Sequence, residues 1–198
     1  MAGHTKWASI QLRRATRAKG REKVPVHAVG GSFKAVRYEG YGPGGGAIVV
    51  DSVTDDRNRT GTEIRDTFLK YGGNLGAQGS VGYLFHIVGL MTFPPGTDEG
   101  RLIQVALEAG AEDVVQGADT SIEVLADPFE FETVRAILTG EGFVPLTAEV
   151  TERASMATPL SGRAAELTVH LLEALQDLDD VRDVYSNVEI SDEVLASI

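Results

Sequence analysis

The chain has 198 residues, 42% of them hydrophobic, no cysteine, and 29 acidic against 18 basic side chains for a formal charge of -11. This length suits one large domain or two to three small ones with a self-sufficient core, and the lack of cysteine excludes disulfide scaffolds, thiolate nucleophiles and Cys-type zinc sites. No run approaches the roughly 18 apolar residues of a membrane span and MAGHTKWASI lacks a signal peptide's apolar core, so a soluble, cytoplasmic protein without a membrane partner is expected.

The charge is unevenly spread. Residues 1–37 hold nine Lys/Arg and one acidic side chain, +8, whereas residues 38–198 hold nine Lys/Arg and 28 acidic ones, -19. A compact basic segment on an acidic body can still engage a polyanion, because counterion release depends on the contacting patch.

In chain order, residues 5–21 predict a short basic helix capped by Thr5, with Arg13, Arg17 and Arg21 on one face, Arg14 and Lys19 widening it, and Trp7, Ile10 and Ala18 on the packing side. REKVPVHAVGGSFKAVR, with Pro25 and Gly30-Gly31, reads as a linker or irregular arm, and YEGYGPGGG as a turn. AIVVDSV from Ala47 is a strand. Thr60 and Glu63, at capping-box spacing, open a helix carrying Ile64, Phe68 and Tyr71 on one face and ending at Gly72-Gly73. GNLGAQGSVGYLFHIVGLMTF then returns to extended structure.

A second unit starts near Pro94. Its helix from Asp98 to Ala109 turns Leu102, Ile103, Ala106 and Leu107 inward; AEDVV and TSIEVLA are strands; Asp127-Pro128-Phe129-Glu130 opens a second helix with Phe131, Val134, Ile137 and Leu138 on its apolar face; and GFVPLTAEVT closes as a strand. Together with LMTF the order is βαββαβ, the ferredoxin-like plan. A leucine-rich helix from Ser161 to Gln176 and a last strand in VRDVYSNVEI complete the elements begun at Ala47. The expected architecture is therefore α+β: a basic helical segment at 1–37, a discontinuous α/β domain at 38–93 and 151–198, and an inserted ferredoxin-like domain at 94–150.

MAGHTKW, the basic RRAT.RAKGR stretch, YEGYGPGGGAIVV, TDDRNRTGTEIRDTF, YGGNLGAQGSVGYLF, ALEAGAEDVV and VYSNVEISDEV together resemble the YebC/TACO1 family. That resemblance implies an N-terminal helical domain followed by two α/β domains, one inserted in the other. It also implies regulation of gene expression, by DNA binding as a transcriptional regulator or on the ribosome, where such proteins help translation through sequences such as proline runs. Family members carry further basic helices where this chain has only REKVPVHAVGGSFKAV, so between about 22 and 37 either the helical domain is truncated or a segment of it is missing from the sequence.

The candidate nucleic-acid-binding residues are Lys6, Arg13, Arg14, Arg17, Lys19, Arg21 and Lys23, with Arg57 and Arg59 at a polar strand-to-helix junction whose amides could receive an anion. The bland readings are a solvated helix face for the first group and a capped helix with local ion pairs for the second. No base-reading motif is present, so backbone recognition with modest sequence preference is expected; His4 and Trp7 could stack on a base, although Trp7 better suits a packing anchor. Gly40, Gly42, Gly44, Gly45 and Gly46 precede a strand and lack the GK[ST] of a phosphate loop, which favours a conformationally demanding turn.

Catalysis has little support. His4, His27, His86 and His170 form no metal-ligand pattern, and the acidic cluster of Glu108, Glu112 and Asp113 lacks a convergent partner. The expectation is a monomeric, non-enzymatic protein with no metal or cofactor. Its partner is nucleic acid, with rRNA on the ribosome ahead of DNA, and a protein-interaction module whose basic arm is incidental is the third reading.

Overall fold

The computed structural model describes residues 33–117 and 120–190. These divide into two compact units, one formed by residues 33–85 and 154–190 and the other by the intervening residues from 86 to 153.

In the flanking unit, β1 (Lys34–Tyr41) and β2 (Ala47–Thr54) form an antiparallel hairpin in continuous register from Tyr41 opposite Ala47 to Lys34 opposite Thr54. This corrects the reading of the segment up to Arg37 as a linker and of YEGY as a turn. Only Gly42–Gly46 turns, and Lys34–Tyr41 is held extended by its ladder to β2, a long-range partner that local glycine content does not reveal. With β3 (Asn74–Leu75) and β9 (Val181–Ser186) the sheet order is β3-β1-β2-β9. The central strand β2 is apolar on both faces because both are covered. Ile48 and Val50 join the helix-side core, while Ala47 and Val49 pack with Val81, Leu84, Phe85 and Tyr185 on the other side.

Two helices cover the first face. α1 (Arg57–Lys70) buries Thr60, Ile64 and Phe68 at intervals of four residues. Its cap is Asp56, whose carboxylate accepts from the amides of Asn58 and Arg59, rather than the expected Thr60, which lies a turn inside the helix. The second, residues Gly162–Gln176, starts after Ser161 and buries Leu171, Leu172 and Leu175 completely. Each such leucine contributes roughly 1.5–3 kcal/mol on removal from water. A parallel pair of short strands, β8 (Thr158–Leu160) and β10 (Val188–Ile190), borders this core.

The intervening unit runs β4 (Phe85–Phe93), α2 (Glu99–Glu108), β5 (Asp113–Gln116), β6 (Ile122–Ala126), α3 (Phe131–Gly140) and β7 (Thr147–Ala154), so the leucine-rich helix of the flanking unit is α4. Its sheet order is β5-β6-β4-β7, with β6 antiparallel to both β4 and β5. Because β4 lies inside this sheet, the unit begins near His86, ahead of the expected boundary at 94. Met91 and Phe93 alternate toward a core with Leu102, Ala106, Ile122, Val124, Phe131, Val134 and Leu138. Asp98 caps α2 through the Arg101 amide, as its sequence position suggests. Three details differ. Leu107 is 57% exposed, Ile137 on the second helix is 42% exposed, and Asp127 organises a tight turn through the Phe129 amide, so that α3 starts only at Phe131. Between the inward Ile122 and Val124, Glu123 is directed to the opposite face, where it is 2% exposed and accepts a 2.9 Å hydrogen bond from Arg153 Nη1.

No helix among the described residues is long and apolar enough to cross a membrane.

Candidate nucleic-acid interface

Lys6, Arg13, Arg14, Arg17, Lys19, Arg21 and Lys23, with His4, Trp7 and His27, lie outside the described residues. The other two candidate cations, Arg57 and Arg59, stand on the first turn of α1, directly after β2.

This junction is closed by hydrogen bonds within the chain. Asp56 takes the first free amides of α1, and Thr54 Oγ1 accepts from the Asp56 amide at 3.0 Å. Arg59 Nη2 donates to Asp55 Oδ1 at 3.0 Å and to Asp180 Oδ2 at 2.9 Å. The buried Thr60 hydroxyl lies within hydrogen-bonding distance of Asp180 Oδ2 and of Thr54 Oγ1. Burial works to raise the Asp180 pKa, but hydrogen bonds from Thr60, Arg59 and Thr54 outweigh it and hold the carboxyl below its ordinary value. The same pairing, with Asp180 dominant, raises the pKa of Arg59. An anion reaching this helix end would have to displace Asp56 from the amides and compete with two carboxylates for Arg59. The arrangement is a capped helix with local ion pairs, in which Arg59 bridges Asp55 and Asp180. Arg57 is exposed, and its carbonyl accepts from the Tyr38 hydroxyl at 3.1 Å. Burial raises the Tyr38 pKa above its ordinary value.

The glycine-rich turn is likewise explained by packing. Gly44 has φ of 77°, and a Cβ there would lie 2.6 Å from Leu160 Cδ2, while a Cβ on Gly46 would collide with Val188. Gly42 and Gly46 close the loop through a 2.8 Å amide-to-carbonyl bond.

The sequence reading passed over Glu39. It sits in β1, is 4% exposed, and its carboxylate accepts from the amides of Gly79 (2.8 Å), Val81 (2.8 Å) and Gly82 (2.6 Å). Its own carbonyl accepts from the Gly76 amide at 2.8 Å. Burial raises its pKa, yet the three amides, helped by the charge of Arg37, bring the net shift down. Glu39 therefore fixes the fold of the glycine-rich segment 76–82. The available signal was a lone acid in a strand beside a long run without charge, but its partners are some forty residues away.

Of the groups weighed for chemistry, His170 Nδ1 lies 3.6 Å from Glu173 Oε2 and its ring tilts against Tyr71. Glu108 accepts from Gln104, and Asp113 from the Val114 amide. Among the described residues no cluster of three or more His, Asp or Glu could hold a metal ion.

Comparison with known proteins adds the lineage. Residues 33–188 match the model of the TACO1/YebC second and third domain. A "probable transcriptional regulatory protein" of Francisella tularensis subsp. novicida is 48% identical, over 89% of this chain and 73% of that one. One of the same description from Paracidovorax citrulli is 48% identical over 85% and 71%. In structure, a conserved hypothetical protein from Aquifex aeolicus superposes with a TM-score of 0.71 at 37% identity, covering 96% of this chain and 78% of its own. Matched across most of its length by the family model and by relatives at this identity, the chain belongs to the TACO1/YebC family.

Proposed function

We propose that this protein regulates gene expression by binding nucleic acid rather than by catalysis, acting on the ribosome with its basic N-terminal segment against rRNA. The observation that carries this reading is the division of charge, +8 over residues 1–37 against -19 over the rest. Such a chain presents one cationic contact to a phosphate backbone and repels it elsewhere. The regulatory names of its relatives support the general role. The cation set is Lys6, Arg13, Arg14, Arg17, Lys19, Arg21 and Lys23; the internal pairing of Arg59 leaves it a secondary contributor at most. The two α/β units, the inserted one read as ferredoxin-like on its β5-β6-β4-β7 order, would position the protein on its target as a monomer in the cytoplasm.

The printed name of the relatives favours a second reading, DNA-binding transcriptional regulation. Co-sedimentation with ribosomes, set against affinity for duplex DNA across a salt series, separates the two. Retention on ribosomes with weak, sequence-indifferent DNA binding is expected. Absence from ribosomes together with tight binding to a specific operator overturns the first reading in favour of the second.

A further inference from the structure

The segment from Tyr71 to Thr97 contains no Asp, Glu, Lys or Arg in a chain that is 24% charged, and residues 40–50 are likewise uncharged. In the flanking unit these two stretches meet. β3 pairs with the end of β1, placing Asn74 opposite Tyr41, and the Tyr41 hydroxyl donates to the Ser80 carbonyl at 2.9 Å. The carboxylate that this stretch encloses, Glu39, is turned inward, where three amides meet its charge. What remains outside is Asn74, Ala77, Gln78 and exposed glycine backbone, with Tyr41 at 37% exposure and Tyr83 at 74%.

Two features distinguish this surface. It lies on a body of strongly negative charge, yet the two stretches that form it, residues 40–50 and 71–83, contribute no carboxylate of their own. It also presents two tyrosines on a backbone held by Glu39 and by the β1–β3 pairing, so little order remains to be imposed when a planar ligand lands on them. A solvent-exposed tyrosine ring on a rigid loop is the kind of platform on which unpaired bases stack, and amide side chains such as Asn74 and Gln78 can reach base edges.

We infer that the surface formed by Tyr41 and the loop from Asn74 to Tyr83 stacks unpaired bases of a single-stranded nucleic acid. This rests on the nucleic-acid reading above and assigns it a second contact, apolar in origin and separate from the basic segment. Stacking releases no counterions, so the two contacts have different salt signatures.

The test uses the full chain with oligouridylate and oligothymidylate carrying a single 2-aminopurine, whose fluorescence is quenched on stacking. Tyr83→Ala is expected to weaken binding by about 5- to 100-fold, the range typical of losing one stacked base. It should also abolish the quench and leave the salt dependence unchanged. Tyr83→Trp should restore both, and a preference for the uridylate would assign the site to RNA. Unaltered affinity and quench in Tyr83→Ala, with the wild-type chain still binding, overturns the inference alone and points to a protein partner for this surface. No binding by the wild-type chain overturns the nucleic-acid reading as well.

Discussion

Glu39 Oε2 lies 2.6 Å from the backbone nitrogen of Gly82, 43 residues further along the chain, and the same carboxylate holds the amides of Gly79 and Val81. Replacing it by alanine leaves these donors without an acceptor in a region where Val81 is fully buried. Hydrogen bonds to a charged group contribute about 1.5–3 kcal/mol, so Glu39→Ala is expected to destabilise the protein by roughly 3 kcal/mol in denaturant titration. Hydrogen exchange should accelerate first at Gly79, Val81 and Gly82. A uniform rise across the sheet instead would show that the loop is not a separately held element.

The depressed pKa of Glu39 fixes the direction of its pH dependence. The unfolded carboxyl titrates near 4.5 and the folded one lower. Its stabilisation is therefore fully present above pH 4.5 and fades as the pH falls through the lower folded-state value. In Glu39→Gln the acid limb of the stability curve should be shallower than in the parent chain. Identical limbs would mean that Glu39 has the same pKa folded and unfolded.

Asp180 obeys the same sign from a different site. Its folded pKa lies below the ordinary 3.8, so its contribution is retained above that pH and lost below it. Asp180→Ala removes an acceptor from the buried Thr60 hydroxyl and from Arg59, and a loss of about 1–3 kcal/mol is expected in thermal or chemical unfolding. If Arg59→Ala and Asp180→Ala act through one interaction, the double variant will be less destabilised than the sum of the single ones.

How far the sequence announced this depended on the range of each interaction. The cap at Asp98, the register of Ile64 and Phe68 and the leucine face of α4 are set within a few residues, and they are legible as periodicity and capping chemistry. Thr60 misled because its spacing to Glu63 satisfies a capping box, although Asp56 stands earlier and captures the amides first. β1 was hidden because Gly40 and Tyr41 look like turn residues until the full ladder to β2 is known. The bonds of Glu39 to Gly82 and of Arg59 to Asp180 join residues 43 and 121 positions apart, and no local pattern encodes them. The candidate interface divided similarly. The basic segment is evident from charge alone, whereas the engagement of Arg59 required tertiary structure.

In the intervening unit, Glu123 and Arg153 form an ion pair whose side chains are 2% and 14% exposed. Since β4 lies between β6 and β7 in the sheet, the pair spans that strand. Arg153→Met removes the cation and leaves a buried carboxylate, for an expected cost of about 3–5 kcal/mol. The double variant Glu123→Leu/Arg153→Met should recover most of that loss, because the attraction within a buried pair largely repays its own desolvation. A double variant as unstable as the single one would show instead that hydrogen bonding specific to this pair is needed to align the strands.

Arg59 also supplies the control for the basic segment. If Arg13, Arg14 and Arg17 contact phosphates, replacing all three by alanine should lower the slope of log affinity against log salt by about 2 for single-stranded targets, since each lost contact removes about 0.7. Arg59→Ala should do the reverse, lowering folding stability while leaving that slope unchanged, because its guanidinium is held by Asp55 and Asp180. The comparison is informative because it changes the same kind of side chain in both places. An unchanged slope in the triple variant would remove the basic segment from the binding surface, whereas a fall in slope for Arg59→Ala would show that phosphate displaces the two carboxylates at the start of α1.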